Sequence, residues 1–256
     1  MKHPVRASCK VAFLAATVLL AGCTAPDPSA VSRDDVFDPY EPQNRKTHEF
    51  NRSLDRALVR PLGTSYAAVV PGDIQTSVGN FADNLSEPGM AVNHLLQADL
   101  KGMVHNTYRF VVNSTLGLGG MFDVAADFGV YADDTDFGET LHAWGAREGA
   151  YVELPVFGPS TERDTVGKVV DIFTNPLSYT LPKPEKYYGT AASVASKIGD
   201  RGRYAEMVDS ILYESADSYA QSRLIYLQNR RFDLGRDQEA DYLDPYASAY
   251  EDPYAE

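Results

Sequence analysis

The chain has 256 residues, 44% of them apolar, with 23 Lys and Arg against 36 Asp and Glu and a formal charge of -13. That balance argues against a nucleic-acid partner, whose affinity comes mainly from basic side chains displacing counterions. Its two cysteines are too few for a disulfide scaffold or a four-thiolate zinc site, and its 16 Tyr, 11 Phe and 15 Pro are too aromatic for disorder and too proline-rich for a coiled coil.

Lys2, Arg6 and Lys10 give a basic start, followed by the apolar run Val11 to Ala21, broken only by Thr17. The run falls short of the about 20 helical residues needed to cross a hydrocarbon core. It reads as the core of a secretory signal peptide over residues 1–22. Leu20-Ala21-Gly22-Cys23 has the order of a bacterial lipobox: small residues before the cut, then a thiol that takes a diacylglycerol. The plainer reading is an ordinary signal peptide with an unrelated cysteine nearby. Cleavage before Cys23 removes Cys9 and three basic residues, leaving 234 residues, a side-chain charge of -16 and one cysteine. That cysteine carries the expected covalent diacylglycerol and N-acyl chain; no other cofactor is expected. Several acyl chains hold a protein stably, at about 0.8 kcal/mol per buried methylene, where one gives marginal binding. Thr24 in place of Asp matches the sorting rule for outer-membrane retention.

Residues 23–37 read as a flexible tether, and a folded domain is expected over 38–235. Phe50, Leu54 and Leu58 form a helical stripe that Pro61 is expected to end, and Asp73 is expected to cap a helix carrying Ile74, Val78, Phe81 and Leu85. Pro88 is read as opening the next helix and Asp99 as capping another, with Gly117, Gly119 and Gly120 breaking the pattern. Between Pro88 and Val130 only Asp99, Lys101, Arg109, Asp123 and Asp127 are charged. That segment is either a buried core hairpin or a pair of helices lying in a membrane interface. Tyr151 to Phe157 is the best candidate for a short hairpin, Pro176, Pro182 and Pro184 mark a loop, and Tyr204 to Leu234 predicts one long helix or two shorter ones. The tail 236–256 is acidic and proline-broken, with Tyr242, Tyr246, Tyr250 and Tyr254 four apart, and reads as disordered or as a tyrosine face for a partner.

Catalytic and metal constellations are not evident. His48, His94, His105 and His142 have no metal-sharing spacing, and Ser160 in Gly158-Pro159-Ser160-Thr161 lacks the geometry of a nucleophile elbow. Gly117-Leu118-Gly119-Gly120 follows a helical stripe rather than a strand, against a dinucleotide loop. Asp133, Asp134 and Asp136 either bind a cation or form a solvated acidic loop. No catalytic residue and no metal ligand is assigned, and no enzyme activity is expected.

Several blocks, in order, resemble the MlaA (VacJ) family of outer-membrane lipoproteins: DPYEPQNR at 38–45, FNRSLDRALVRPL at 50–62, VPGDIQTSVGNFADNLSEPGMAVNHLLQ at 70–97, NSTLGLGGMFDVA at 113–125, FGETLHAWG at 137–145 and YVELPVFGPSTERD at 151–164. The resemblance implies a mainly α fold, a single ring-like domain of amphipathic helices with a short hairpin after a cleaved lipoprotein signal peptide. It implies a place in the inner leaflet of the outer membrane, facing the periplasm, beside a trimeric porin. Mislocalised phospholipids would pass through an amphipathic channel to a soluble periplasmic carrier of the MlaC type, which maintains lipid asymmetry. Phe50, Asn51, Asn80, Asn84, Asn93 and Asn113 are the expected ring and channel residues, and Gly145, Gly149 and Tyr151 the expected loop or gate. The sequence departs from the family at Gln43, where Phe is usual, and in the loop Gly145 to Tyr151, which is usually richer in glycine. The alternatives are a structural adaptor that binds porins without moving lipid and, for want of a nucleophile and base, more remotely a phospholipid hydrolase.

Overall fold

The computed structural model describes residues 36–235. The expected signal peptide, Cys23, most of the tether and the 236–256 tail lie outside the described residues. The described chain is mainly helical with one two-stranded hairpin, as the sequence predicts.

Helix α1 (Glu41–Leu54) does not stop at Pro61. It widens into a π-helical turn (Asp55–Val59) and continues as α2 (Arg60–Val69). A proline ring within a helix clashes with the carbonyl four residues back and cannot donate an amide; the wider turn just before Pro61 makes room for it. Nor does Pro88 open a helix: it lies inside α3 (Gly72–Leu96). Near that interruption the helix is tied to the chain after α7, where Asn175 Nδ2 donates to the Leu85 carbonyl at 2.8 Å. Asp73 sits in the first turn of α3 and the cap position falls to Pro71.

Asp99 does cap α4 (Leu100–Thr115), its carboxylate accepting from the Lys101 and Gly102 amides. After α4 the chain turns through Leu118, Gly119 and Gly120, all at positive φ, and a Cβ on Gly120 would stand 2.5 Å from the Asn84 side chain. That close approach lets the turn pack on α3. Short α5 (Val124–Asp127) and α6 (Phe137–Ala143) follow, capped by Asp123 and Asp136. Strands β1 (Tyr151–Leu154) and β2 (Gly158–Thr161) pair antiparallel, Tyr151 opposite Thr161. Thr161 then caps α7 (Glu162–Thr174). The proline-marked segment contains the single turn α8 (Leu177–Thr180) before α9 (Tyr188–Arg203). The C-terminal helical run is divided into α10 (Ala205–Asp209), a π-helical turn (Ser210–Glu214) and α11 (Ser218–Asp233).

Packing closes a circuit. From α1 it passes to β1, across the hairpin to α7, on to α3, then α9 and α2, and back through the π-helical turn to α1. α4 lies against α3 on this circuit.

What fills the circuit is unusual. Among the described residues eight apolar side chains are buried, while seventeen polar or charged ones are. Large apolar side chains are on the outside instead. Helix α4 shows the inversion most plainly: Gly102, Asn106, Arg109 and Asn113 are buried, and Leu100, Val104, Tyr108 and Val111 are exposed. Both sets follow helical spacing, so the helix is amphipathic with its polar face inward. The reading of 88–130 as a buried core hairpin is therefore overturned: none of its large apolar side chains is buried and most are exposed. Among the described residues no helix is long and apolar enough to cross a membrane.

Candidate functional site

Polar residues on α3 and α4 meet in a buried seam. Arg109 Nε donates to Glu87 Oε1 at 2.7 Å, Nη1 to the Val130 carbonyl at 2.6 Å and Nη2 to Asp123 Oδ2 at 3.2 Å. Burial alone would depress the Arg109 guanidinium, but the Glu87 and Asp123 carboxylates outweigh it and hold it above its ordinary value. Burial pushes the Glu87 carboxyl up, against the pull of Arg109. Asn113 Nδ2 donates to Asp123 Oδ1 at 2.9 Å, and its own Oδ1 accepts from the Ala125 amide at 2.8 Å. Asn84 Nδ2 donates to Ser114 Oγ at 2.9 Å, and Asn80 Nδ2 to the Met121 carbonyl at 3.2 Å. Asn80, Asn84 and Asn113 thus border one polar pocket of about 130 Å³.

Asn93 lies elsewhere. Its Nδ2 donates to Asp171 Oδ1 at 3.0 Å, and Asp171 also accepts from the Phe137 amide, joining α3, α6 and α7. Burial raises the Asp171 carboxyl. Beside this junction opens a cavity of about 490 Å³ between α3, α7, the α8 turn and α9. Leu85, Ile172, Leu177, Leu181 and Phe157 give it apolar walls, and Ser178, Thr190, Ser193 and Lys186 give it polar ones. Phe157 reaches it from the tip of the hairpin, where it is 73% exposed.

Asn51 fixes that tip. Its Nδ2 donates to the Leu154 carbonyl at 2.9 Å, and its Oδ1 accepts from the Val156 amide at 2.7 Å. Val156 has φ 71, a conformation that costs a β-branched residue energy and persists because the two hydrogen bonds impose it. Phe50, the next residue back, is half exposed on the outer face of α1 and does not share this role.

The expected gate residues fall in different settings. Gly145 and Gly149 take φ 86 and 75 in the loop after α6, and the Ala150 amide donates to Glu162 Oε2 at 3.2 Å. Tyr151 is 1% exposed; its hydroxyl donates to Glu153, and its ring meets Tyr219 and Tyr226 edge-on at 5.9 and 6.4 Å. It belongs to the fixed core rather than to the loop. Of the expected channel residues, Asn84, Asn93 and Asn113 are buried and use their side-chain NH2 groups to join elements.

The sequence reading passed over the arginine nodes that hold the circuit. Arg201 donates to Asp55 at 2.8 Å and to Asp209 at 2.6 Å, joining α9 to the π-helical turn of α1 and to α10. Arg230 donates to Asp136 at 2.7 Å and Asp164 at 3.2 Å, joining α11, α6 and α7. Burial raises the Asp164 carboxyl, but the Arg230 and Arg163 charges overcome it and hold it below its ordinary value. Arg109 alone had a signal, as one of five charges in 88–130. Lys168 Nζ lies 3.2 Å from Ser160 Oγ, the composition of a serine–lysine pair. Ser160 is 0% exposed and already accepts from Thr165, so a substrate carbonyl has no approach to it.

The sequence pattern of the MlaA lipoprotein family matches residues 36–233. The intermembrane phospholipid transport system lipoprotein MlaA of Escherichia coli is 34% identical over 243 residues, 92% of each chain. An uncharacterised protein of Rickettsia typhi is 35% identical over 190 residues, 74% of each chain. A solved structure described as the structural basis for maintenance of bacterial outer membrane lipid asymmetry superimposes with a TM-score of 0.66 at 31% identity, covering 77% of this chain and 98% of that one. The buried Asn and Arg seam, the Asn51-pinned hairpin and the outward apolar face are thus features of a chain that belongs to the MlaA lipoprotein family.

Proposed function

We propose that this protein works in intermembrane phospholipid transport and maintains outer-membrane lipid asymmetry, seated in the periplasm-facing leaflet with its apolar face among acyl chains. The observation that carries this reading is the inversion of polarity: polar side chains are buried and large apolar ones exposed on the same helices. In water such a surface is a liability, since monomeric soluble proteins rarely expose large contiguous apolar patches. In lipid there is no hydrophobic drive between helices, and buried hydrogen bonds and close packing hold them together instead. The arginine and asparagine nodes fit that requirement.

The lipid path is the cavity between α3, α7 and α9. Its mixed lining suits a molecule with one polar end, with Lys186, Glu185, Asp171 and the Ser178, Thr190 and Ser193 hydroxyls on the polar side and Leu85, Ile172 and Phe157 the surface available to acyl chains. No chemical step is needed. Acylation at Cys23 supplies the anchor, and with an acidic chain docking depends on that anchor and on apolar burial rather than on attraction to anionic lipid. A porin beside the ring and a soluble periplasmic carrier of the MlaC type complete the pathway.

Deleting the gene is expected to raise outer-leaflet phospholipid and detergent sensitivity, and a Cys23→Ser form is expected not to restore the wild type. Transfer of radiolabelled phospholipid from vesicles to the purified carrier separates transport from the adaptor alternative. Thr190→Trp with Ser193→Trp fills the cavity and is expected to abolish transfer with the fold intact. Absence of transfer by the unmodified protein, with leaflet composition unchanged in the deletion, would overturn the reading.

A further inference from the structure

We infer that Lys168 and Lys197, on opposite walls of the lipid path, form a paired-lysine seat for the phosphate of a net-anionic phospholipid, an inference that rests on the lipid-transport reading. Inside the cavity between α3, α7 and α9 the one lysine, Lys186, shares the lining with Glu185 and Asp171. The unopposed cations stand one turn further along its walls.

Asp171, Ile172 and Asn175 line the cavity from α7 and its C-terminal cap, and Lys168 stands three, four and seven residues before them. Lys186, Thr190 and Ser193 line it from the α9 side, and Lys197 stands eleven, seven and four residues after them. Residues so spaced share one face of a helix, so both lysines continue the lining stripes by about one turn, roughly 6 Å. α9 turns its other faces to its neighbours, Gly189 against Leu85 of α3 and Gly202 against Gly63 of α2.

Both lysines are exposed, so their ammonium groups are open to a ligand. Lys197 makes no hydrogen bond and no ion pair among the described residues. Lys168 Nζ donates to Ser160 Oγ at 3.2 Å and to the Pro159 carbonyl at 3.3 Å, which leaves one of its three donors. The acids that act on Lys168 are already taken, Asp164 by Arg163 and Arg230 and Asp136 by Arg230. Desolvation lowers the Lys168 ammonium below its ordinary value despite Asp164 and Asp136, and the Arg230 and Lys197 charges act in the same direction. The two walls thus bring Lys197 within electrostatic range of Lys168, and an anion between the two ammonium groups relieves their repulsion.

Lysine binds phosphate as a point charge, and two of them match a group whose charge is spread over several oxygens. A headgroup with its own ammonium would bring a third cation into the same space, so a net-anionic lipid is preferred to a zwitterionic one. Its acyl chains then lie along Leu85, Ile172 and Phe157 in the adjoining cavity.

The test incubates the full lipidated protein with vesicles of phosphatidylglycerol, phosphatidylethanolamine and phosphatidylcholine in equal parts, re-isolates it in detergent and counts bound lipid by mass spectrometry. Phosphatidylglycerol is expected to be enriched over phosphatidylethanolamine by about fivefold, and by less in high salt. Lys197→Gln is expected to cut that enrichment by about twofold, Lys168→Gln with Lys197→Gln to abolish it and Lys197→Arg to keep it, with thermal unfolding checked alongside. Enrichment that survives the double variant overturns the seat. Equal recovery of the three lipids, while transfer to the carrier persists, overturns it too and leaves transport standing. No bound lipid and no transfer overturns both. Binding of inorganic phosphate that the double variant loses, without lipid enrichment, reassigns the pair to a free anion and overturns the inference.

Discussion

Two regions of this molecule are built on opposite plans. Around α4 the inward positions are Gly102, Asn106, Arg109 and Asn113, and the outward ones Leu100, Val104, Tyr108 and Val111. Around the hairpin and α11, Tyr151, Tyr219 and Leu227 form a small apolar core, with Tyr226 packed against it. The second region keeps a small apolar core beside buried polar groups such as Glu153 and Asp164, whereas on α4 the large apolar side chains are all left outside the buried set. In water the apolar side chains would go inside; where acyl chains replace water, burying them gains nothing and the polar groups must find each other. On the proposed function, the difference marks the side of the molecule that meets lipid.

The largest expected effect breaks the polar seam. Arg109→Ala leaves Glu87 and Asp123 without their cation and should cost about 3–5 kcal/mol, seen as loss of folded protein in detergent. Truncation in the conventional core comes next: Leu227→Ala should cost about 3 kcal/mol in the same assay. The outward face should behave differently from both. Val104→Asp with Val111→Asp should change stability in detergent by less than about 0.5 kcal/mol, because neither residue is buried. In bilayers the same pair should reduce membrane association by up to about 3 kcal/mol per residue, less at the interface. If the pair instead unfolds the protein in detergent, the α4 face is a protein core and the comparison fails.

The smallest effect concerns pH. Arg45 and the Ala220 amide hold Asp217, the cap of α11, at about 2, below its ordinary 3.8. A depressed acid stabilises the fold above its unfolded pKa and loses that contribution as pH falls through the folded one. Asp217 is exposed, so the effect is small. Unfolding of Asp217→Asn should show a flatter dependence between pH 4 and pH 2 than the wild type, measured in low salt.

Much of this plan was legible in the residues, and the part that was not has physical causes. The Asp99 cap, the glycine break after Thr115 and the hairpin at Tyr151 all follow from local chemistry and stand where the sequence predicts them. Periodicity on α4 marks two faces but does not say which is inward, because that depends on the solvent; only the lipobox at Cys23 hinted at lipid. Pro61 and Pro88 misled for the converse reason. A π-helical turn makes room for Pro61, and the helix runs on through Pro88, packed nearby against Asn175, which is remote from it in sequence. Arg201 and Arg230 find carboxylates on other elements, which no local pattern discloses. The asparagines were recognised as a set, but their division between the α3–α4 pocket and the Asp171 junction is a product of the closed circuit.

Whether the α4 face meets acyl chains is open to direct measurement. In a Trp144→Phe background the chain has no other tryptophan, so Val104→Trp places a single fluorophore on that face. Reconstituted into bilayers, it should be strongly quenched by phospholipids brominated on their acyl chains and barely by aqueous iodide. Efficient iodide quenching with no response to the brominated lipid would contradict it.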